Sequence, residues 1–282
     1  MPYPASAALL FKESLSHSTS PPPRYLKREG GFHPVPLNFQ PLTLDPEKLQ
    51  AGFPLLVNKP LHWTSFDVVN KLRYTLRHAG GLRKLKLGHA GTLDPLATGL
   101  LILGVGRHTK LIEQYMGLPK TYRATLQLGY VTDSYDAETP PRPHGSFDHL
   151  NTAKIEEVLG QFQGEIWQRP PLYSALKVKG QKAYELARKG TEQPLPPRPV
   201  HIHQLQLIDL TDTGHVELVV ECSKGTYVRS LAHDLGAKLG CGAYLTRLER
   251  TAIGNYHLRD AWALKELVAA IEKGHFQIPQ SS

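Results

Sequence analysis

Apolar and polar positions along the chain fall into short periodic runs punctuated by glycine and proline. PLLVNKP (54–60) is a continuous apolar run ended by Pro60, which predicts a short buried strand. A helix follows. Ser65 is a candidate cap, Asp67 sits in the first turn, Val68, Val69, Leu72 and Leu76 hold helical spacing, and Gly80–Gly81 stops it. Lys71 and Arg77 fall off that apolar stripe, toward solvent or a partner. GHAGTLDPLATG (88–99) reads as a turn-rich loop and LLILGVG (100–106) as a buried strand. KTYRATLQLGY (120–130) alternates, with Tyr122, Ala124, Leu126 and Leu128 on one face and Arg123, Thr125 and Gln127 on the other. Short helices are predicted over 152–160 and 183–190. VHIHQLQLIDL and HVELVVECS flank an Asp212–Gly214 turn as a hairpin. TYVRSLAHDLGAKLG (226–240) places Val228, Leu231, Leu235 and Leu239 inward on a helix, and AYLTRLERTAIG (243–254) returns as a strand. Strands and helices mix without a β-α-β rhythm, which predicts an α+β fold with a largely antiparallel sheet.

The two ends pattern differently. Residues 1–50 lack sustained periodicity, and 11 of the 23 prolines fall in residues 1–60. The reading is a proline-rich, partly disordered extension over 1–50. The periodic body spans 51–256. Residues 257–282 hold one amphipathic helix and a polar tail.

Composition narrows the class. The 282 residues are 40% hydrophobic and 21% charged, a globular mixture. No run is long and apolar enough for a membrane span, and no charged segment precedes the short apolar stretch at the N-terminus, so no signal peptide is read. Cys222 and Cys241 form no C-x-x-C pair, and a reducing, cytoplasmic setting is expected. The net charge of +8 is concentrated. Residues 71–110 carry Lys71, Arg73, Arg77, Arg83, Lys84, Lys86, Arg107 and Lys110 against the single acid Asp94. A phosphate-facing surface and a solvated face both satisfy that pattern.

Asp94 lies in a Gly/Pro-bounded loop between two well-patterned elements. It suits a nucleophile or base held by neighbouring cations, and equally a brace for the turn before Pro95. Arg229 sits in the first turn of a predicted helix, where a cation is disfavoured unless it meets an anion. Tyr122 belongs to an apolar strand face, as a core residue or a stacking ring. His89 is a loop histidine that either stacks on an unpaired base or satisfies the turn. GVGRHTK (104–110) lacks phosphate-loop spacing, and His201 and His203 have no further ligand at metal spacing, so no metal site is expected.

These residues together resemble the TruB family of tRNA pseudouridine synthases. GHAGTLDPLATGLLILGVGRHTKL (88–111) is similar to the family's active-site motif. Five more blocks follow the family's order: LLVNKPLHWTSFDVVNKLR (55–73), KTYRATLQLGYVTDSYDAE (120–138), QRPPLYSALKVKGQKAYELARKG (168–190), ECSKGTYVRSLAHDLG (221–236) and LTRLERTAIG (245–254). The resemblance implies the pseudouridine synthase fold, a mixed, mostly antiparallel sheet with an active-site cleft across it. It implies Asp94 as the essential aspartate, Arg229 as its partner and Tyr122 as the tyrosine packed on the target base. Leu248 corresponds to an apolar contact in the base pocket and His89 to a contact with flipped-out RNA. Lys59 and Tyr227 lie in matching blocks, lining the pocket and shaping a helix start. Lys84 and Lys86 fall where the RNA backbone passes.

The family's reaction breaks the N1–C1′ bond of a uridine and rejoins the base through C5, which calls for no cofactor. Asp94 would attack C1′ or C6, or remove the C2′ proton. Arg229 would hold it ionised, with a depressed pKa. The implied substrate is the T-loop uridine at position 55 of tRNA, flipped out of its stack. The expected partner is the T-arm, bound by a monomer, with no membrane and no small-molecule cofactor. Many members carry a C-terminal PUA-type domain; 28 residues follow Gly254 here, so a form without one is expected. The rival reading is an RNA-binding chaperone that flips the T-loop without turnover.

Overall fold

A long mixed sheet organises the molecule, and its strand ends place the Asp94 loop. The computed structural model describes residues 39–174, 176–178, 181–182 and 195–279. The helix expected over 183–190 and residues 1–38 of the expected extension lie outside the described residues.

The elements in order are β1 (Phe39–Thr43), α1 (Pro46–Ala51), β2 (Pro54–Lys59), α2 (Ser65–Ala79), β3 (Leu87–His89) and β4 (Ala97–Val105). A 3-10 turn (Gly106–Leu111) leads to α3 (Ile112–Gly117), β5 (Lys120–Leu128), β6 (Tyr130–Val131), β7 (Arg142–Pro143), α4 (Thr152–Gly160) and β8 (Gly164–Gln168). Then come β9 (Lys177–Val178), β10 (Gln181–Lys182), β11 (Arg198–Leu210), β12 (His215–Cys222), α5 (Val228–Leu239) and β13 (Ala243–Ile253). The chain closes with β14 (Tyr256–His257), β15 (Trp262–Ala263), α6 (Leu264–Glu272) and β16 (His275–Pro279).

The main sheet runs β15-β2-β4-β13-β5-β12-β11-β8, with β3 on β4 and β14 on β13. Its pairs are antiparallel except β13 with β4 and β15 with β2. The expected α+β class is therefore observed. Alternation on β5 is as read: Tyr122, Ala124, Leu126 and Leu128 are buried. They join Val216, Leu218 and Val220 of β12 and the inner faces of α4 and α5 in one core cluster. A second cluster packs Val68, Leu72 and Leu76 of α2 and Leu267 and Ile271 of α6 against Leu101 and Leu103 of β4. Full burial of each such side chain contributes about 1.5–3 kcal/mol.

Four local expectations are corrected. The cap of α2 is Thr64, not Ser65. Thr64 accepts from the Asp67 N–H and the Asp67 carboxylate accepts from the Thr64 N–H, a closed capping box. Ser65 is thereby free to bond elsewhere. The strand expected at 100 starts at Ala97, because Ala97, Thr98 and Gly99 pair in parallel with Leu248, Glu249 and Arg250. Gly99 has φ +105°, and a Cβ there would overlap the Arg250 backbone, so close strand approach explains a glycine that reads as a loop. Residues 39–50 are ordered, as β1 and most of α1. Leu42 and Leu49 are buried in the α2–α6 cluster, and α1 is capped by Asp45, whose carboxylate accepts from the Lys48 N–H at 2.8 Å. The polar tail is β16, which pairs antiparallel with β1 from Phe39↔Pro279 to Thr43↔His275 and buries Phe276 and Ile278. This pairing joins segments more than 200 residues apart, which no local period reveals.

Candidate active site

Asp94 sits on the loop joining β3 to β4, and three elements grip that loop. From α2, the Ser65 hydroxyl accepts from the Leu93 N–H at 2.8 Å and donates to the Leu93 carbonyl at 3.2 Å. From β13, Arg250 donates to Gly91 O at 3.1 Å, Thr92 O at 3.4 Å and Leu100 O at 2.8 Å. From the β2–α2 connection, the His62 N–H donates to Pro95 O at 2.8 Å. Lys59 Nζ reaches the same carbonyl at 3.5 Å. The loop also closes on itself through Ala97 N–H to Asp94 O at 3.0 Å. The loop that carries the carboxylate is thus tied to its scaffold at several points.

Arg229, in the first turn of α5, is buried, and its Nε lies 3.0 Å from Asp94 Oδ2. The disfavoured cation at a helix start therefore meets an anion, as its position predicted. It meets two. Arg229 Nη1 is 3.5 Å from Asp136 Oδ2, while Nη2 donates to Tyr173 O at 3.1 Å and Nη1 to Ser134 O at 3.4 Å. Asp136 is placed by a tight turn in which Tyr135 adopts φ 64°. That left-handed conformation is costly for a residue with a side chain. Thr132 Oγ1 and Ser134 Oγ both donate to the Asp136 carbonyl and hold the turn.

Burial, with this second acid adding to it, reverses one expectation. Asp94 is the sole acid in its own forty residues, but folding brings Asp136 and Glu138 beside it. Burial is the largest cause that raises the Asp94 pKa, and Asp136 and Glu138 add to it; Arg229 and Lys59 oppose. The result is a pKa above 3.8, not the depressed value expected from Arg229 alone. The Asp94 side chain nevertheless remains 41% exposed, and it faces an opening.

That opening is walled by Asp94, Leu96, Ala97, Asp136, Arg229, Leu245, Thr246, Arg247 and Leu248. Leu248 is thus on the wall of the opening that Asp94 faces. Tyr122 packs in the same cluster as Leu93, Ala97 and Leu248, and its hydroxyl pKa is raised by burial, with Asp94 adding to the rise. The free volume is about 10 Å³, room for roughly one water. A uracil enters only if these walls part.

Other expected residues stand further out. His89 is half-buried on β3, and burial and Arg250 lower its pKa, favouring the neutral ring. Lys59 is fully buried, with Nζ donating to Pro60 O at 2.9 Å and Trp63 O at 2.6 Å. It braces the chain entering α2. Burial lowers its pKa to about 8. Tyr227 is the N-cap residue of α5; its N–H donates to Gln168 Oε1 at 2.7 Å and its ring lies under Arg198. Lys84 and Lys86 are exposed just before β3. Sequence reading missed Asp136 and Arg250. Asp136 lay in a quoted block, and Arg250 in an alternating strand, but neither position signals a contact across more than 90 residues. Among the described residues, no cluster of His, Cys, Asp or Glu is arranged to hold a metal ion.

Comparison with known proteins fits this geometry. The model of the TruB family pseudouridylate synthase N-terminal domain matches residues 77–228, and that of the tRNA pseudouridylate synthase B C-terminal domain matches 229–277. The tRNA pseudouridine synthase B of Parabacteroides distasonis is 46% identical over 230 residues, covering 82% of this chain and 97% of that protein. The enzyme of the same name from Bacteroides thetaiotaomicron is 47% identical over 214 residues, covering 75% and 89%. Among solved structures, a chain of a Cbf5-Nop10-Gar1 complex aligns with TM-score 0.60 at 26% identity, over 84% of this chain and 64% of that one. A chain of an H/ACA RNP bound to a substrate RNA containing 2′-deoxyuridine aligns with TM-score 0.58 at 25% identity, over 85% and 65%. The matched family models and relatives show it: the chain belongs to the TruB family of pseudouridylate synthases.

Proposed function

We propose that the protein isomerises uridine to pseudouridine in tRNA, at the T-loop uridine of position 55, with Asp94 as the reacting carboxylate. The carrying observation is the Arg229–Asp94 pair at 3.0 Å, on a loop gripped from α2, β13 and the β2–α2 connection and opening beside Leu248. In the reaction, N1–C1′ breaks, the uracil turns, and C5–C1′ forms as the C5 proton leaves and N1 takes a proton. Attack at C1′, attack at C6 and removal of the C2′ proton all require Asp94 as an anion. Arg229 supplies that requirement against the burial and the two acids that raise the pKa. Its guanidinium is itself held in place, with Nη1 and Nη2 on the Ser134 and Tyr173 carbonyls, so the positive charge beside Asp94 stays put.

Tyr122, buried in the cluster with Leu93, Ala97 and Leu248, would pack on the cleaved base once the walls part, and Leu248 would cover its apolar edge. Because the walls enclose so little volume, base entry couples to their parting. Substrate RNA must supply that energy through contacts elsewhere, with the exposed Lys84 and Lys86 on the backbone. Incubation with a T-arm hairpin RNA, followed by carbodiimide modification and primer extension, tests the reading. A stop at the T-loop uridine is expected. Absence of that stop, with RNA bound and protein folded, would overturn it.

A further inference from the structure

Next to the Asp94 opening lies a second, much larger cavity of about 720 Å³, and the two share Arg247. Its walls come from the end of β2, the connection into α2, the middle of α2, the start of β4, β13, β15 and α6. The floor is apolar, with Pro60, Leu264 and Val268. Trp63 lies at the wall and is 36% exposed, although large aromatic side chains are usually more buried. Its backbone is fixed, since Trp63 O accepts from the buried Lys59 at 2.6 Å and the next residue is the capping-box threonine of α2. A fixed backbone with an open indole is a preorganised stacking surface. Around it stand Lys71, Arg247 and Lys265, with Glu249 as the acid among the lining residues. The catalytic reading uses none of these except Arg247, as a wall.

We infer that this cavity is a second nucleotide subsite, taking an unpaired nucleotide of the same RNA that flanks the target uridine, its base on Trp63 and its phosphates toward Arg247, Lys71 and Lys265. The volume falls within the range of small-ligand sites. The mixture of aromatic face and surplus cations suits a nucleotide better than an apolar ligand or an acidic one. Arg247 borders both cavities, so a nucleotide here would neighbour the uridine at Asp94, where a splayed loop would lie. The inference rests on the proposed reaction for its occupant but not for its chemistry. Occupancy here also supplies contacts remote from the reacting bond that offset parting of the small pocket.

The experiment uses the full chain with Asp94→Asn, so that bound RNA is not turned over. Trp63 emission is isolated as the difference between that protein and its Trp63→Phe derivative, because Trp167 and Trp262 also emit. A T-arm hairpin RNA is expected to quench the Trp63 component. In the active protein, Trp63→Ala and Lys265→Glu each raise KM about tenfold with kcat changed far less, and Trp63→Phe restores KM. Hairpins abasic at one loop position each identify the occupant as the base whose removal abolishes quenching. Unchanged emission together with unchanged KM in both variants would overturn the inference. So would a Trp63 signal that depends on protein concentration without RNA, which marks a second copy as the occupant. Quenching by RNA that the active protein never converts would support the subsite and overturn the reaction, so the two claims fail separately.

Discussion

Replacing Arg250 by methionine keeps a long apolar stem and removes the guanidinium that ties β13 to the Asp94 loop. Arg250 is 1% exposed, and its guanidinium donates three hydrogen bonds to carbonyls of Gly91, Thr92 and Leu100. Two of these have good length, and hydrogen bonds from a charged donor contribute about 1.5–3 kcal/mol each. Against that gross loss stands relief from burying a cation, and Arg250 also depresses Lys59 and Lys120. The net expectation is a destabilisation of about 2–3 kcal/mol, read as a lower urea midpoint at constant slope. Activity should fall further than stability accounts for. A loop released at Gly91 and Thr92 lets Asp94 drift, and displacement of a reacting group by an ångström costs on the order of a hundredfold in rate. The assay is single-turnover conversion of T-arm RNA at a temperature where the variant is fully folded. Arg250→Lys keeps charge but loses the fork, and should recover stability more than rate. A folded Arg250→Met protein with wild-type turnover would refute the reasoning, because the loop would then be positioned without β13.

Two further outcomes follow from electrostatics. Asp136 raises the Asp94 pKa, and the reactive form is the anion, so Asp136→Asn should lower that pKa and move the acid limb of kcat/KM to lower pH. The plateau should fall as well, since Arg229 loses its second carboxylate at 3.5 Å; an acid limb that stays put or moves up would contradict the assignment. Charge reversal at the exposed Lys84 and Lys86 should raise KM more than it lowers kcat and flatten the salt dependence of RNA binding, measured by titration across ionic strength. An equal loss of kcat at unchanged KM would place these lysines elsewhere in the account.

Periodicity made much of the fold legible because packing and local pattern agree there. The alternation of β5, the 152–160 helix and the β11–β12 hairpin were readable for that reason. The β1–β16 pair was not, because five-residue strands with a proline in each carry no distinctive period and each has its partner at the far end of the chain. The start of β4 hid for a related reason. Gly99 reads as a turn, yet it is a glycine because the Arg250 backbone passes against it. In the site, residue type and resemblance pointed to Asp94 and Arg229, and their contact is observed. The sign of the Asp94 pKa was out of reach, since it depends first on burial in the folded loop and then on acids more than forty residues away in sequence. Arg250 was equally hidden: one arginine in an alternating strand looks solvent-facing until the carbonyls that face it are known.

The most direct test of Asp94 as the reacting carboxylate is Asp94→Asn in a paired measurement of T-arm RNA affinity and pseudouridine formation. The asparagine keeps the shape, removes the anion, and leaves Arg229 paired to Asp136. The account predicts affinity within a few-fold of the unmodified protein and no pseudouridine at the T-loop uridine, even at stoichiometric enzyme and long incubation. Conversion at a rate near that of the unmodified protein would contradict it.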